Sequence, residues 1–269
     1  MPIRPSSSLR AIAEKGALGN KYSAAARQDE GFNDLSRQTP SLLHAQHFAV
    51  CRPTMNRLGL LHPSTLTGRH MSETRAIFEA FYRHNASCYG HIFTTRLPST
   101  GALAGPWAVL LHSPMLGRAY LDLSLALEKL GPLSARSRSI SALTIFARER
   151  VPYGLYAERL LGLSEGLSEK DIEVLFAGQL PYGFNDADRA VYFVSRELGH
   201  CVGHLSQQTW DWALATLGKD MLVALIHYAA FLRYTATFMR GFEVQLPAEG
   251  DRVEVYRQRT PSQQFAVGW

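Results

Sequence analysis

The sequence predicts an all-α protein, and three observations carry that prediction. Apolar residues recur at spacings of three and four through the middle of the chain, in Leu116, Tyr120, Leu123 and Leu127 and again in Ile140, Leu143 and Ala147, the period of one buried helical face. Capping residues and Gly or Pro breaks separate these runs, most plainly at Gly131-Pro132, where glycine suits a helix end and proline the first turn of the next helix. Every segment with a clear period is helical.

The elements follow in order. Ser72 is a cap for a helix carrying Ile77, Phe78 and Phe81 on one side. Asn85 to Gly105 is punctuated by Gly, Ser, Thr and Pro and reads as a loop. Pro106 to Leu167 then holds two helices, a turn and a third helix, with Pro152 interrupting and Tyr153 to Leu161 resuming the pattern. Ser168-Glu-Lys-Asp forms a capping box, with Asp171 in place of the usual Glu, ahead of Ile172, Leu175 and Phe176. Asp186 or Asp188 caps a helix through Val191, Val194, Leu198 and Cys201, and Ser206 caps one through Trp210, Ala213, Leu214 and Leu217. Met221 to Gly241 is the last and most apolar helix.

The chain of 269 residues is 46% hydrophobic, enough for one core with an appendage. Residues 1–63 read as an N-terminal extension, disordered or a transit peptide, 64–248 as the helical domain, and 249–269 as a charged tail. Residues 1–105 carry 12 Lys and Arg against 6 Asp and Glu, whereas residues 106–269 carry 16 against 17. The basic excess therefore belongs to the front and argues against a nucleic-acid partner for the folded body. Arg4, Arg10, Lys15, Lys21 and Arg27 face the single acid Glu14 there, so the expected location is the cytoplasm, with the mitochondrion as the alternative. No run of about 18 uncharged apolar residues occurs, and Met221 to Leu232 is too short to cross a membrane. Cys51, Cys88 and Cys201 are widely spaced and odd in number, which gives neither a disulfide framework nor a CxxC pair.

The ordered set Arg75-Ala-Ile-Phe-Glu, Trp107-Ala-Val-Leu-Leu-His-Ser-Pro114, Ala147-Arg-Glu149, Tyr153-Gly-Leu-Tyr-Ala157, Gly166-Leu-Ser-Glu169, Asp188-Arg-Ala190, Arg196-Glu-Leu198, Thr209-Trp210 and Gly241-Phe-Glu-Val-Gln-Leu-Pro247 resembles the carboxymuconolactone decarboxylase-like family, which includes the alkylhydroperoxidase D-type proteins. The resemblance runs in register over roughly residues 72–247. It implies an antiparallel helical bundle that associates as a homo-oligomer, a trimer or hexamer, with sites near subunit contacts. Peroxidase members carry a CxxC, a His four residues after the second Cys, and an earlier Glu. Aligned on Tyr153-Gly-Leu-Tyr-Ala, the two Cys positions fall on Val151 and Gly154, the His position on Glu158, and the Glu on or beside Ser139. Dithiol peroxide reduction needs a thiolate and a resolving thiol, so that chemistry is not expected.

The non-thiol branch implies a cofactor-independent lyase, decarboxylase or isomerase acting on a small cyclic or unsaturated carboxylic acid by general acid/base catalysis. In that reading Glu158 is the proton shuttle, provided burial lifts its pKa from ~4.3 toward neutrality. Tyr153 or Tyr156 donates to an oxyanion, and Arg138 holds a carboxylate in its planar fork. His227 adds a catalytic side chain and Tyr228 a substrate contact on the last helix, which lines the family pocket. His112 reads as a helix cap. His200 and His204 flank Cys201 without a carboxylate or second thiol to complete a tetrahedral set, so neither metal nor cofactor is expected. The alternative is a non-catalytic oligomeric ligand-binding or scaffold protein that has lost the relay. Peroxidase action through Cys201 alone has no resolving Cys near it. Leu121, Leu125 and Trp212 lie off the main stripes and are the expected subunit contacts.

Overall fold

The computed structural model describes residues 55–200 and 203–253. The basic leader, Cys51, Cys201, the side chain of His200 and most of the charged tail lie outside the described residues. Among those described, nine α-helices occur: α1 (Ser72–Cys88), α2 (Gly105–Leu110), α3 (Pro114–Lys129), α4 (Ala135–Glu149), α5 (Pro152–Ser164), α6 (Glu169–Phe176), α7 (Asp186–His200), α8 (Gln207–Leu217) and α9 (Lys219–Gly241). No β-strand longer than an isolated bridge, Arg96 with Leu103, occurs among them.

The bundle is organised around α4. Its residues from Ser139 to Phe146 are all buried, because α5, α6, α7 and α9 cover it from different sides. The small residues Ser137, Ser139, Ser141, Ala142 and Thr144 allow that close approach, and the polar ones among them need partners once buried. Thr144 Oγ1 donates to the carbonyl of Ile140 at 2.7 Å, and Ser195 Oγ of α7 donates to Ser141 Oγ at 2.8 Å. Two apolar clusters meet along this helix. One joins α1, α2, α3 and α5 to the later part of α9, and the other joins α6, α7 and α8 to its earlier part.

Local chemistry sets the helix ends. Ser134 caps α4, Ser168 and Asp171 complete the capping box of α6, and Ser206 caps α8, each accepting from the backbone N–H three residues on. Gly131 has φ 64° in the turn before α4. Arg150 takes a left-handed conformation that ends α4, so Pro152 begins the new helix α5 instead of interrupting an old one. Asn185 Oδ1, and neither Asp186 nor Asp188, caps α7 by accepting from Asp188 N at 2.8 Å. The Asp188 carboxylate is instead buried against Arg136, whose Nη2 lies 3.0 Å from Oδ2.

Further sequence expectations change. Ser72 is the first residue of α1 and does not cap it, Met71 holding the cap position, and Pro132 lies in the turn ahead of α4, which begins at Ala135. Helix α1 continues through Cys88, into the stretch read as loop. Helix α3 buries Gly117, Tyr120, Leu121 and Leu127 but exposes Leu116 and Leu123, so the stripe read as its buried face is only half buried. Leu121, expected at a subunit contact, packs in its own core. The compact body also reaches past 64–248 at both ends. Arg57 N donates to Phe242 O at 2.9 Å, Gln245 N to Met55 O at 2.8 Å, and Thr94 Oγ1 to Asp251 O at 2.7 Å. At 23 residues α9 is long and apolar enough to cross a membrane by length and composition; in this fold its buried face is a seam of the core against α2, α3, α4, α7 and α8.

Candidate active site

Helix α5 begins where α4 ends and packs back along it, which brings Glu158 beside Ser139. Glu158 lies between two cavities. The inner one, about 80 Å3, is walled by Trp107, Tyr120, Phe146, Tyr153, Leu232 and Met239. The outer one, about 410 Å3, is lined by Cys88, Glu128, Arg138 and Ser139. Tyr89, Glu158, Leu161, Tyr228 and Phe231 belong to both walls and so form the partition. Glu158 is half-buried, its accessible surface opening on these cavities.

That setting decides the carboxyl's protonation. Burial among aromatic and aliphatic walls disfavours the charged form and pushes Glu158 up to about 8, while the Ser139 hydroxyl opposes part of the rise by hydrogen bonding. The carboxyl therefore holds its proton near neutral pH, the condition set for it as a proton shuttle.

Arg138, on α4 next to Ser139, faces the outer cavity. Its Nη2 donates to the carbonyls of Glu128 at 3.1 Å and Leu127 at 3.4 Å, at the end of α3, which anchor the guanidinium. Its Nε is buried with no partner among the described residues. Tyr228 stands at the partition with a hydroxyl that makes no hydrogen bond to the described residues. Burial, followed by the nearby Glu158 carboxylate, pushes this phenol well up, with Arg138 pulling the other way. It remains a neutral O–H donor.

Three other expected site residues serve differently. Tyr153 presents its ring to the inner cavity, but its hydroxyl donates to the Thr94 carbonyl at 2.6 Å and is spent on structure. Tyr156 lies two residues from Glu158, about 200° around the helix, and points to the opposite side. There its hydroxyl accepts from Thr94 N at 3.2 Å and Val253 N at 3.1 Å, tying the α1–α2 connection and the end of the described chain to α5. His227 is exposed and lines neither cavity, because one residue's rotation on α9 carries it away from the face that holds Tyr228. None of the three hydroxyl or imidazole groups is placed to reach a molecule beside Glu158.

Sequence reasoning also missed residues of the wall. Tyr89 follows the last residue of α1, and burial raises its phenol above the ordinary range. Cys88 and Glu128 reach the outer cavity from α1 and α3. A helical signal existed in His84 and Cys88, four residues apart and hence on one face, but the stretch had been read as loop.

The positions aligned with the family's thiols are closed by packing. Val151 is 1% exposed at the start of α5. A side chain grown from Gly154 would meet the Phe146 ring at 2.7 Å. The phenyl group of Phe146 fills the space beside Gly154 on the inner wall.

Neither a protein-family model nor a curated protein matches the chain, but solved structures match its fold. It superposes on the alkylhydroperoxidase AhpD core, an uncharacterized peroxidase-related protein from Ralstonia eutropha JMP134, with a TM-score of 0.57 and 14% identity, over 74% of this chain and 95% of that one. The debrominase Bmp8 in its apo form gives 0.54 and 12%, over 73% and 94%. A variant of Bmp8 in complex with 2,3,4-tribromopyrrole gives 0.54 and 12%, over 70% and 90%. The chain has the all-α, alkylhydroperoxidase D-like fold. At these identities the likeness concerns the fold, and the chemistry has to be argued from the residues of the cavity.

Proposed function

We propose that the protein is a carboxymuconolactone decarboxylase-like carbon–carbon lyase that acts on a small cyclic or unsaturated carboxylic acid, with Glu158 as proton donor. The observation that carries this reading is a carboxyl that keeps its proton near neutrality between an apolar cavity and one whose wall includes the Arg138 guanidinium. An engineered apolar cavity of about 150 Å3 takes a benzene, so a ring does not fit the inner cavity of about 80 Å3 and belongs in the outer one.

The residues divide the work. The Arg138 guanidinium, on the wall of the outer cavity, receives the substrate carboxylate or a neighbouring oxyanion. In a decarboxylation the bond between the ring carbon and the carboxyl carbon breaks, carbon dioxide leaves, and the electron pair stays on the substrate as an enolate. Tyr228 donates a hydrogen bond to the enolate oxygen. Glu158 delivers its proton to carbon and is reprotonated from solvent through the outer cavity. An isomerisation uses the same groups, with the ionised carboxylate first removing a proton.

Purified protein and a Glu158→Gln variant compared on a panel of lactones and β-keto acids test the proposal. Equal turnover removes Glu158 from the mechanism, and no turnover by the wild type on any of them removes the substrate class. The second reading, a ligand-binding module, is favoured by the commitment of Tyr153 and Tyr156 to structural hydrogen bonds. It expects carboxylic acids to bind both proteins unchanged.

A further inference from the structure

Where α1 and α3 wall the outer cavity, three side chains of different chemistry converge. His84 and Cys88 sit one turn apart on α1, and Glu128 comes from the last turn of α3, which packs alongside. His84 Nδ1 lies 3.5 Å from Cys88 Sγ, Cys88 Sγ lies 3.8 Å from Glu128 Oε1, and His84 Nε2 lies 3.6 Å from that same oxygen. We propose that His84, Cys88 and Glu128 bind a divalent transition metal of the zinc class, with its fourth coordination position open to the cavity. The site goes beyond the acid/base reading and does not depend on it, since Glu158 is not among the ligands.

The cluster is close to the size such an ion needs. Zn2+ holds nitrogen and oxygen at about 2.0–2.2 Å and sulfur at about 2.3 Å, so tetrahedral ligand atoms stand roughly 3.3–3.8 Å from one another. His84 presents Nδ1 to the sulfur and Nε2 to the carboxylate oxygen, and one of the two nitrogens ligates; with one ligand atom from each residue the three atoms lie within 4.8 Å of one another, so closing on the ion takes a shift of about 1 Å in these side chains. Imidazole, thiolate and carboxylate together suit a borderline ion, whereas calcium and magnesium prefer oxygen alone. Three protein ligands with one open position is also the arrangement of catalytic zinc. Cys88 and Glu128 line the cavity, so the open position faces it, while the His84 side chain is 8% exposed and closes the site from behind.

The same three residues have a second interpretation, a thiol nucleophile served by a histidine base. The arrangement of charge favours the cation. A nucleophilic thiolate needs positive surroundings, and here the Glu128 carboxylate oxygen stands 3.8 Å from Cys88 Sγ. A carboxylate and a thiolate that approach this closely repel, and a divalent ion between them reverses the sign of that interaction. The ion turns an arrangement hostile to the thiolate into one that requires it.

The test uses the full chain, stripped with a chelator and titrated with Co2+ alone. One equivalent is expected to bind and to give a near-ultraviolet thiolate-to-cobalt charge-transfer band. Cys88→Ser is expected to lose that band, which excludes Cys51 and Cys201 as its source. Glu128→Gln is expected to retain the band but weaken binding at least about tenfold, the least that loss of a supporting group costs a metal site. Circular dichroism of each variant checks that the helices remain. Absence of the band in wild-type protein under excess Co2+, or its persistence in Cys88→Ser, overturns the proposal. Rapid alkylation of Cys88 at neutral pH by iodoacetamide, unaffected by Zn2+, overturns it in favour of the nucleophile.

Discussion

Glu158 on α5 stands beside Ser139 on α4, the two positions at which the sequence resemblance sets the histidine and the glutamate of the family's proton relay. The two positions are side by side in this fold, and both residue types differ from the relay's. A hydroxyl partners a carboxyl whose proton is held by burial, and the two thiol positions are an apolar helix start and a glycine under a phenyl ring. What that pair can do is proton transfer without a sulfur redox step.

Removing the proton should remove the reaction. Glu158→Gln is expected to lower kcat by roughly 10²- to 10⁴-fold, the usual worth of a positioned acid or base, with KM little changed. In the wild type, kcat for a decarboxylation is expected to fall above about pH 8 as Glu158 ionises. The groups around the carboxyl are Ser139, the phenols of Tyr89, Tyr120 and Tyr228, all raised by burial, the cation Arg138, and, on the outer cavity, Cys88 and the acids Glu128 and Glu165. None of these phenols loses its proton in that range. Ser139→Ala takes away the hydrogen bond that favours the carboxylate, so its alkaline limb should move to higher pH. A rate profile measured at saturating substrate checks both outcomes.

The same shift has a thermodynamic consequence. Between about pH 4.5 and about pH 8 the folded protein holds the Glu158 proton more tightly than the unfolded chain does. Its contribution to stability is complete below the lower value and is lost as pH rises through the upper one, with a slope of at most about 1.4 kcal/mol per pH unit. Glu158→Gln should flatten that part of the curve, and the variant should gain on the wild type from acid to alkaline pH. Denaturant unfolding at pH 4, 6 and 8 measures it.

Tyr153 and Tyr156 are expected to report on folding and not on chemistry. Tyr153→Phe leaves the Thr94 carbonyl without its 2.6 Å donor, at a cost of about 1–3 kcal/mol, and should leave kcat within a factor of about two to three. Tyr156→Phe should loosen the segment around Val253, visible as faster amide hydrogen exchange there. A loss of kcat at unchanged stability in either variant would return that tyrosine to the site.

The sequence made the helices legible, because period and caps are local properties: Ser168 and Ser206 cap as their positions suggest, although Ser72 does not. Glu158 was legible through its register with the aromatic segment on one helix. Tyr156 was misread although the same helix fixes it, since a two-residue offset already places it on the far side. The hydroxyl of Tyr153 and the wall built from Cys88 and Glu128 depend on how the α1–α2 connection and α3 fold over α5, contacts between segments far apart in sequence. On α3 apolar residues occur all round, so period alone does not choose the buried face.

That choice leaves a consequence on the surface. Leu116, Ala119, Leu123, Ala126 and Leu130 follow steps of three and four along α3 and are exposed, the three leucines by 56%, 49% and 36%. A seam of this spacing suits another helix, and the homo-oligomer the resemblance implies would cover it. The chain is expected to run larger than a monomer in light scattering at micromolar concentration, and Leu116→Glu with Leu123→Glu to dissociate it while keeping the helical circular dichroism. A monomeric wild type sinks the idea.

The closure of the position that the resemblance aligns with the second thiol is testable through volume. Gly154 has the Phe146 ring where a Cβ would stand, with the nearest ring atoms at 2.7–3.0 Å, and the ring is held in the core by Trp107, Tyr153 and their neighbours on the inner wall. Gly154→Ala is therefore expected to destabilise by about 1–3 kcal/mol, the range for overpacking, although alanine is the better helix former by roughly 1 kcal/mol. Phe146→Leu should itself cost stability by leaving space, yet the double variant should be more stable than the sum of the two single losses, because the methyl enters the volume the ring vacates. Strict additivity in chemical denaturation would mean that Phe146 does not close the position, and that the absence of a thiol there has some cause other than packing.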